Sequence, residues 1–168
     1  MSRKKIFLLS GFPGSGKSTW SRDQVKHGAI IVDQDSIRRM IHSEYVFDEK
    51  KEPIVRDMSY ACIDVALKNS DNIIIDETFL TAESRDGAIC QVHKNTMNCD
   101  IYVLVFPETN KNLKYRMHDA RGYSKDQWAD VIEKLKEKYE VPDVTKEDIN
   151  YLYKVPVDFE KRKSIVEL

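Results

Sequence analysis

Residues 6–18 read Ile6-Phe7-Leu8-Leu9-Ser10-Gly11-Phe12-Pro13-Gly14-Ser15-Gly16-Lys17-Ser18. An apolar run of strand length feeds directly into G-x-x-x-x-G-K-S, the spacing of a phosphate-binding loop. The chemistry gives each residue type a reason to be there. Glycines let the backbone turn tightly around an anion and aim N–H groups at it. Lys17 is placed to reach the β- and γ-phosphates, and the Ser18 hydroxyl can ligate Mg²⁺. Thr19 to Val25 can begin a helix whose positive N-terminus favours the same anion. Gly11, Pro13, Gly14, Ser15, Gly16, Lys17, Ser18 and Thr19 are therefore the candidate nucleotide contacts, with ATP as the expected ligand.

Working outward, three more apolar, β-branched runs stand out: Ala29–Val32, Ile73–Ile75 and Ile101–Phe106. All are continuous rather than alternating, as in strands buried on both faces of a parallel sheet. Tyr151–Val155 supplies a fifth strand, at the edge. Helical patterns lie between them, over Thr19–His27, Ile54–Lys68, Thr81–Asn95 and Asn110–Asp119. The second presents Ile54, Met58, Ala61, Cys62, Val65 and Ala66 as its apolar face. Ser124, with Gln127 at the capping-box position, predicts a helix through Tyr139. Alternation of strand and helix predicts an α/β fold, a parallel sheet of about five strands with helices on both faces. Glu44–Pro53 is charged and loop-like, the composition of a flap over a substrate.

The 168 residues predict a single domain spanning 1–168, with a lid over about 116–127. A hydrophobic fraction of 41% with 33% charged residues fits a globular chain, and a net charge of −1 supplies no global pull toward nucleic acid or a membrane surface. Cys62, Cys90 and Cys99 have no C-x-x-C spacing and read as ordinary thiols. His27, His42, His93 and His118 lack metal-ligand spacing. No apolar stretch approaches the roughly 20 residues of a membrane span. Met1–Lys5 is basic, but the run after it is only a strand long. A cytoplasmic protein without membrane partners is the expectation.

Ligands of open α/β sheets gather at the carboxyl ends of the strands. After the second strand comes Asp33-Gln34-Asp35-Ser36-Ile37-Arg38. Asp35 and Arg38, three apart on an opening helical turn, face the same way. Asp35 could accept the proton of an attacking hydroxyl, and Arg38 could hold a substrate phosphate in two-pronged fashion. Alternatively Asp33 or Asp35 caps the helix and Arg38 pairs on the surface. After the third strand, Asp76-Glu77-Thr78 offers the carboxylate that holds Mg²⁺ beside a phosphate loop. Successive strand residues point to opposite faces, so one of Asp76 and Glu77 serves. Arg116 and Arg121 could bring positive charge to a transferring phosphoryl group or pair with nearby carboxylates.

Taken together, Gly11–Trp20, Asp35-x-x-Arg38, Ile74-Ile75-Asp76-Glu77-Thr78-x-Leu80 and Arg116–Gly122 resemble the small P-loop kinases. Within these, they resemble the 5′-kinase domain of bacteriophage and bacterial polynucleotide kinases. The order and spacing match over about residues 3–155. The resemblance implies a P-loop nucleoside-triphosphate hydrolase/kinase fold with a short lid. It implies Asp35 as general base, Arg38 on the phosphate next to a 5′-hydroxyl, and Arg121 on the donor phosphates from the lid. ATP, Mg²⁺ and a nucleic-acid or nucleotide 5′-OH are the implied ligands. Phe79 stands where the family pattern carries Asn, which implies a different acceptor pocket. Two other classes share the loop, kinases of small hydroxylated molecules and nucleotide-binding switches or ATPases. In the latter, Glu77 beside Asp76 would position water.

Overall fold

The computed structural model describes residues 2–43, 46–108 and 124–157. Five strands form one sheet: β1 (Lys4–Ser10), β2 (Ile30–Asp33), β3 (Asn72–Asp76), β4 (Cys99–Val105) and β5 (Tyr151–Lys154). Their order is β2-β3-β1-β4-β5 and every pairing is parallel. β1 lies in the middle because it is apolar on both faces. Phe7 and Leu9 join Trp20, Ala29, Ile74, Tyr102 and Leu104 on one side. Ile6 and Leu8 join Val32, Ile73, Ile75, Ile101 and Val103 on the other. This is the doubly covered parallel sheet that the continuous apolar runs predict.

The helices are α1 (Lys17–Gln24), α2 (Gln34–His42), α3 (Glu52–Asn69), α4 (Ala82–His93) and α5 (Lys125–Glu137). Trp20 carries α1 into the first face, while Ile63, Ala66 and Leu67 of α3 and Ala88, Ile89 and Val92 of α4 fill the second. No helix among the described residues is long and apolar enough to cross a membrane. The Ser124–Gln127 capping box is present: the Gln127 N–H donates to Ser124 Oγ at 3.2 Å, and the Ser124 N–H donates to Gln127 Oε1 at 2.8 Å. Ser124 and the first turn of α5 thus take residues 124–127, the end of the expected lid. The rest of that lid, and the helix expected over Asn110–Asp119, lie outside the described residues.

Two expectations are corrected. The buried stripe of α3 runs through Val55, Ser59, Ile63, Ala66 and Leu67, while Ile54, Cys62 and Val65 are exposed. Ser59 is the cause, a polar residue in mid-stripe that breaks the apolar period. The loop-like stretch expected through Pro53 ends earlier. Asp48–Lys51 make a turn, and Glu52 and Pro53 already open α3, with proline where a missing N–H costs nothing.

Among the described residues, one charged side chain sits wholly inside. Arg85 of α4 is fully buried and donates to both Glu147 oxygens, from Nε at 2.6 Å and Nη2 at 2.8 Å. Its Nη1 donates to the carbonyls of Phe79 at 2.9 Å and Glu140 at 3.1 Å. Burial alone would raise the Glu147 carboxyl, but the hydrogen bonds from Arg85 and from the Asp143 N–H outweigh it and hold it below the usual range. Arg85→Ala removes the cation and leaves a carboxylate and two carbonyls without that partner. Chemical denaturation is expected to show a loss of about 3–5 kcal/mol, the cost of breaking a buried pair from one side.

Candidate active site

The phosphate loop spans the gap between β1 and α1. Gly11 fits there because a Cβ would lie 2.9 Å from Phe106 Cβ and 3.1 Å from Phe106 O. Gly16 caps α1 at φ 95°, a left-handed conformation that glycine takes without strain. Lys17 is the first residue of α1 and is buried. Its ammonium donates to the carbonyls of Gly11 at 2.7 Å and Phe12 at 3.0 Å, strapping the loop from inside. Ser15 is buried, and Ser18 and Thr19 are exposed on the first turn of α1.

Across from α1, the end of β3 separates two carboxylates. Asp76 is buried, accepts from Ser21 Oγ at 2.9 Å and also from Ser18, and feels the charge of Lys17. Burial is the larger influence and raises its pKa, against the pull of Lys17 and the two serines. Glu77 points the other way, toward α3, where Ser59 Oγ donates to Oε1 at 3.3 Å. Burial lifts Glu77 to about 7, aided by the Asp76 charge and opposed by Ser59, Arg38 and Gln34. Strand alternation thus sorts the pair, with Asp76 on the loop side and Glu77 on the α2–α3 side.

Asp33 and Asp35 are sorted as cleanly. Asp33 is the N-cap of α2, with Oδ1 accepting from the Asp35 N–H at 2.9 Å and Oδ2 from Ser36 Oγ at 2.6 Å. Asp35 instead accepts from Arg38 Nη1 at 2.8 Å. Arg38 also donates to Gln34 Oε1 at 3.2 Å and, from Nε and Nη2, to both Glu52 oxygens at 2.9 and 2.6 Å.

A cavity of about 420 Å³ joins these groups. The phosphate loop lines it with Pro13, Gly14, Lys17 and Ser18, α2 with Gln34, Asp35 and Arg38, and the end of β3 and the turn after it with Asp76, Glu77 and Thr78. Trp128, Val131, Lys134 and Leu135 of α5 close the far wall, and Phe47 stands near its edge. In the sequence that wall was legible as a helix, from its Ser124–Gln127 cap, and not as part of the site. Glu52 and Arg85 left no signal, since their partners are far along the chain. Arg116 and Arg121 lie outside the described residues. Phe79 packs into the core among Ile63 and Ala88 with φ 40°, a strained value for a side chain of its size, and its carbonyl accepts from Ser10 Oγ at 3.0 Å. Its side chain belongs to the core, and its carbonyl braces the loop.

A family model for the AAA domain matches residues 6–142. The chain belongs to the AAA domain family. This AAA domain is 23% identical over 144 residues to the Xenopus laevis protein KTI12 homolog, covering 82% of this chain and 51% of that protein. It is 27% identical to a chain in the solved Pnkp1/Rnl/Hen1 RNA repair complex, with a TM-score of 0.63 over 83% of this chain and 47% of that one. A fungal RNA kinase structure shares the fold at 11% identity, with a TM-score of 0.62 over 95% of this chain and 78% of that one. The chain spans about half the length of the first of these relatives and of the repair-complex chain. The fold is thus of the P-loop kinase type, with a chain of the RNA repair complex and a fungal RNA kinase among its structural neighbours.

The oxygen donors Ser18 and Asp76 fit a hard cation such as Mg²⁺, which takes few protein ligands and leaves the rest to water and phosphate. No cluster of three or more His, Cys, Asp or Glu ligands occurs among the described residues.

The raised Glu77 carboxyl sets a pH dependence. Stability from its protonated form is full below the unfolded value near 4.5 and is lost as pH rises through about 7. In metal-free protein this contribution is expected to lower the melting temperature by about 5–10 °C between pH 5 and pH 7.5. Glu77→Gln is expected to flatten that slope, and scanning calorimetry across the range checks it.

Proposed function

We propose that this AAA domain is an ATP-dependent phosphotransferase acting on a hydroxyl acceptor, with a polynucleotide or nucleotide 5′-OH as the leading acceptor. The observation that carries the reading is the shared cavity: the phosphate loop and the Asp35–Arg38 pair line one space. Its volume suits a small ligand. A hydrolytic switch has no use for an acid–base pair aimed at a second substrate. The likeness to a chain of the RNA repair complex supports the choice of acceptor.

In this reading the loop N–H groups and Lys17 hold the donor phosphates. Lys17 would exchange its bonds to the Gly11 and Phe12 carbonyls for phosphate oxygens. Asp35, oriented by Arg38 Nη1, takes the proton of the acceptor hydroxyl as its oxygen attacks the γ-phosphorus and the bond to the ADP oxygen breaks. Arg38 holds a phosphate neighbouring that hydroxyl. Ser18 and Asp76 would hold Mg²⁺, which would supply positive charge to the donor phosphates. Glu77, turned toward Ser59, has no metal role here. Asp33 is a cap rather than the base. Arg121 is proposed on the donor phosphates through the family resemblance, and Arg116 beside it through its positive charge. A single catalytic domain over residues 1–168 and a cytoplasmic location complete the reading.

A second reading is favoured by the likeness to the KTI12 homolog and by the engagement of Arg38 with Glu52: ATP turnover without an organic acceptor. Transfer of radiolabelled γ-phosphate to a panel of 5′-OH DNA, 5′-OH RNA, nucleosides and small alcohols separates the two. A many-fold rise in ATP turnover with a 5′-OH oligonucleotide is expected. Equal turnover with and without every acceptor favours the switch. Asp35→Asn is expected to cut transfer by about 10²- to 10⁴-fold while ATP affinity barely moves. Retained activity with a lowered melting temperature would make Asp35 structural.

A further inference from the structure

Arg38 is the residue whose position invites an anion, and the protein supplies one of its own. Glu52 takes Nε and Nη2 with its two oxygens at 2.9 and 2.6 Å, the parallel geometry with which a guanidinium holds a phosphate. Glu52 is not on the helix that carries Arg38. It opens α3, fourteen positions later, and its N–H donates to the Asp48 carbonyl at 3.1 Å. It therefore closes the turn that follows exposed Phe47 at the cavity edge. The Arg38 and Glu52 side chains are 11% and 24% exposed. The pair is desolvated enough to be stronger than a surface contact, yet open enough for a dissolved anion to compete.

We propose that Glu52 is a specificity-determining residue, an internal carboxylate that occupies the anion subsite of Arg38 and must be displaced by a phosphate of the acceptor. The inference rests on the reading of Arg38 as an acceptor contact. Asp35 and Glu52 together more than neutralise the guanidinium, so an incoming phosphate gains only the difference between itself and the carboxylate it replaces. A doubly charged terminal phosphate overcomes that difference more readily than a singly charged phosphodiester, because Coulomb attraction scales with charge. An acceptor without phosphate leaves the pair intact. Among 5′-OH acceptors, Glu52 thus ranks a nucleoside 3′-monophosphate above a diester-linked strand, which must displace the same carboxylate with less charge. Displacement also frees the first residue of α3 from Arg38, which couples acceptor binding to the 48–51 turn.

Isothermal titration of the full chain with adenosine 3′-monophosphate, and with adenosine as the anion-free control, tests this without turnover. Glu52→Gln is expected to bind the monophosphate at least about tenfold tighter than the unmutated protein. Adenosine is expected to gain nothing, and the gain is expected to vanish in Glu52→Gln/Arg38→Ala. Equal or weaker binding in Glu52→Gln overturns the proposal. So does a gain that survives Arg38→Ala, or the absence of phosphate-dependent binding in both proteins. Glu52→Asp keeps the charge but is one methylene short for the two-pronged contact, so it serves if the glutamine variant does not fold. A smaller gain is expected there, and none overturns the proposal. If no acceptor receives phosphate from ATP, the phosphotransferase reading fails, while these titrations still decide the place of Glu52.

Discussion

The carbonyl of Phe79 is the joint on which the candidate site depends. It accepts from Ser10 Oγ, the last residue of the central strand, and from Arg85 Nη1 in the interior. One residue earlier, the Thr78 carbonyl accepts from the Gly11 N–H at 2.9 Å, where the phosphate loop begins. The turn after β3 is therefore bonded to the turn after β1 at two successive residues. A left-handed backbone at Phe79 costs of order 1 kcal/mol. Two hydrogen bonds on its carbonyl and a buried ring offset that cost.

The arrangement around the cavity follows from this joint. With β1 and β3 locked at their carboxyl ends, Asp76 must face the serines of α1 and Glu77 must face Ser59 of α3. The next strand outward, β2, pairs Asp33 with Asp76 in register, so α2 starts level with the phosphate loop. Asp33 caps that helix, and capping turns Asp35 and Arg38 toward the cavity. Arg85 braces the whole from behind, because its other bonds reach Glu140 and Glu147 in the segment after α5. A guanidinium with five directed donors suits such a post, where a lysine would reach fewer acceptors.

What the sequence revealed was local, and what it hid was not. The β1 run and the loop after it carry their meaning within thirteen residues, so strand, loop and helix were legible together. The Ser124–Gln127 box lies within one turn and was equally plain. The stripe of α3 was misread because Ser59 breaks the apolar period, and it breaks it in order to reach Glu77. Glu77 and Asp76 were ambiguous because adjacent residues of a strand differ only in which face they meet, and that depends on the helices packed there. Glu52, Arg85 and Glu147 were illegible for a stronger reason: their partners sit on other elements, and no periodicity links a residue to a partner across the sheet.

The strand order has a consequence for how the molecule is made. Ile6 of β1 is flanked by Ile73 of β3 and Ile101 of β4, so the central strand is finished only when chain far downstream has arrived. During synthesis its apolar sides and both rows of backbone donors and acceptors wait without neighbours, a state prone to association with other chains. Parallel pairings of such long separation close slowly. The element that anchors the phosphate loop is thus the one most exposed to misassembly before the fold is complete, and chaperone capture of nascent chains should centre on it.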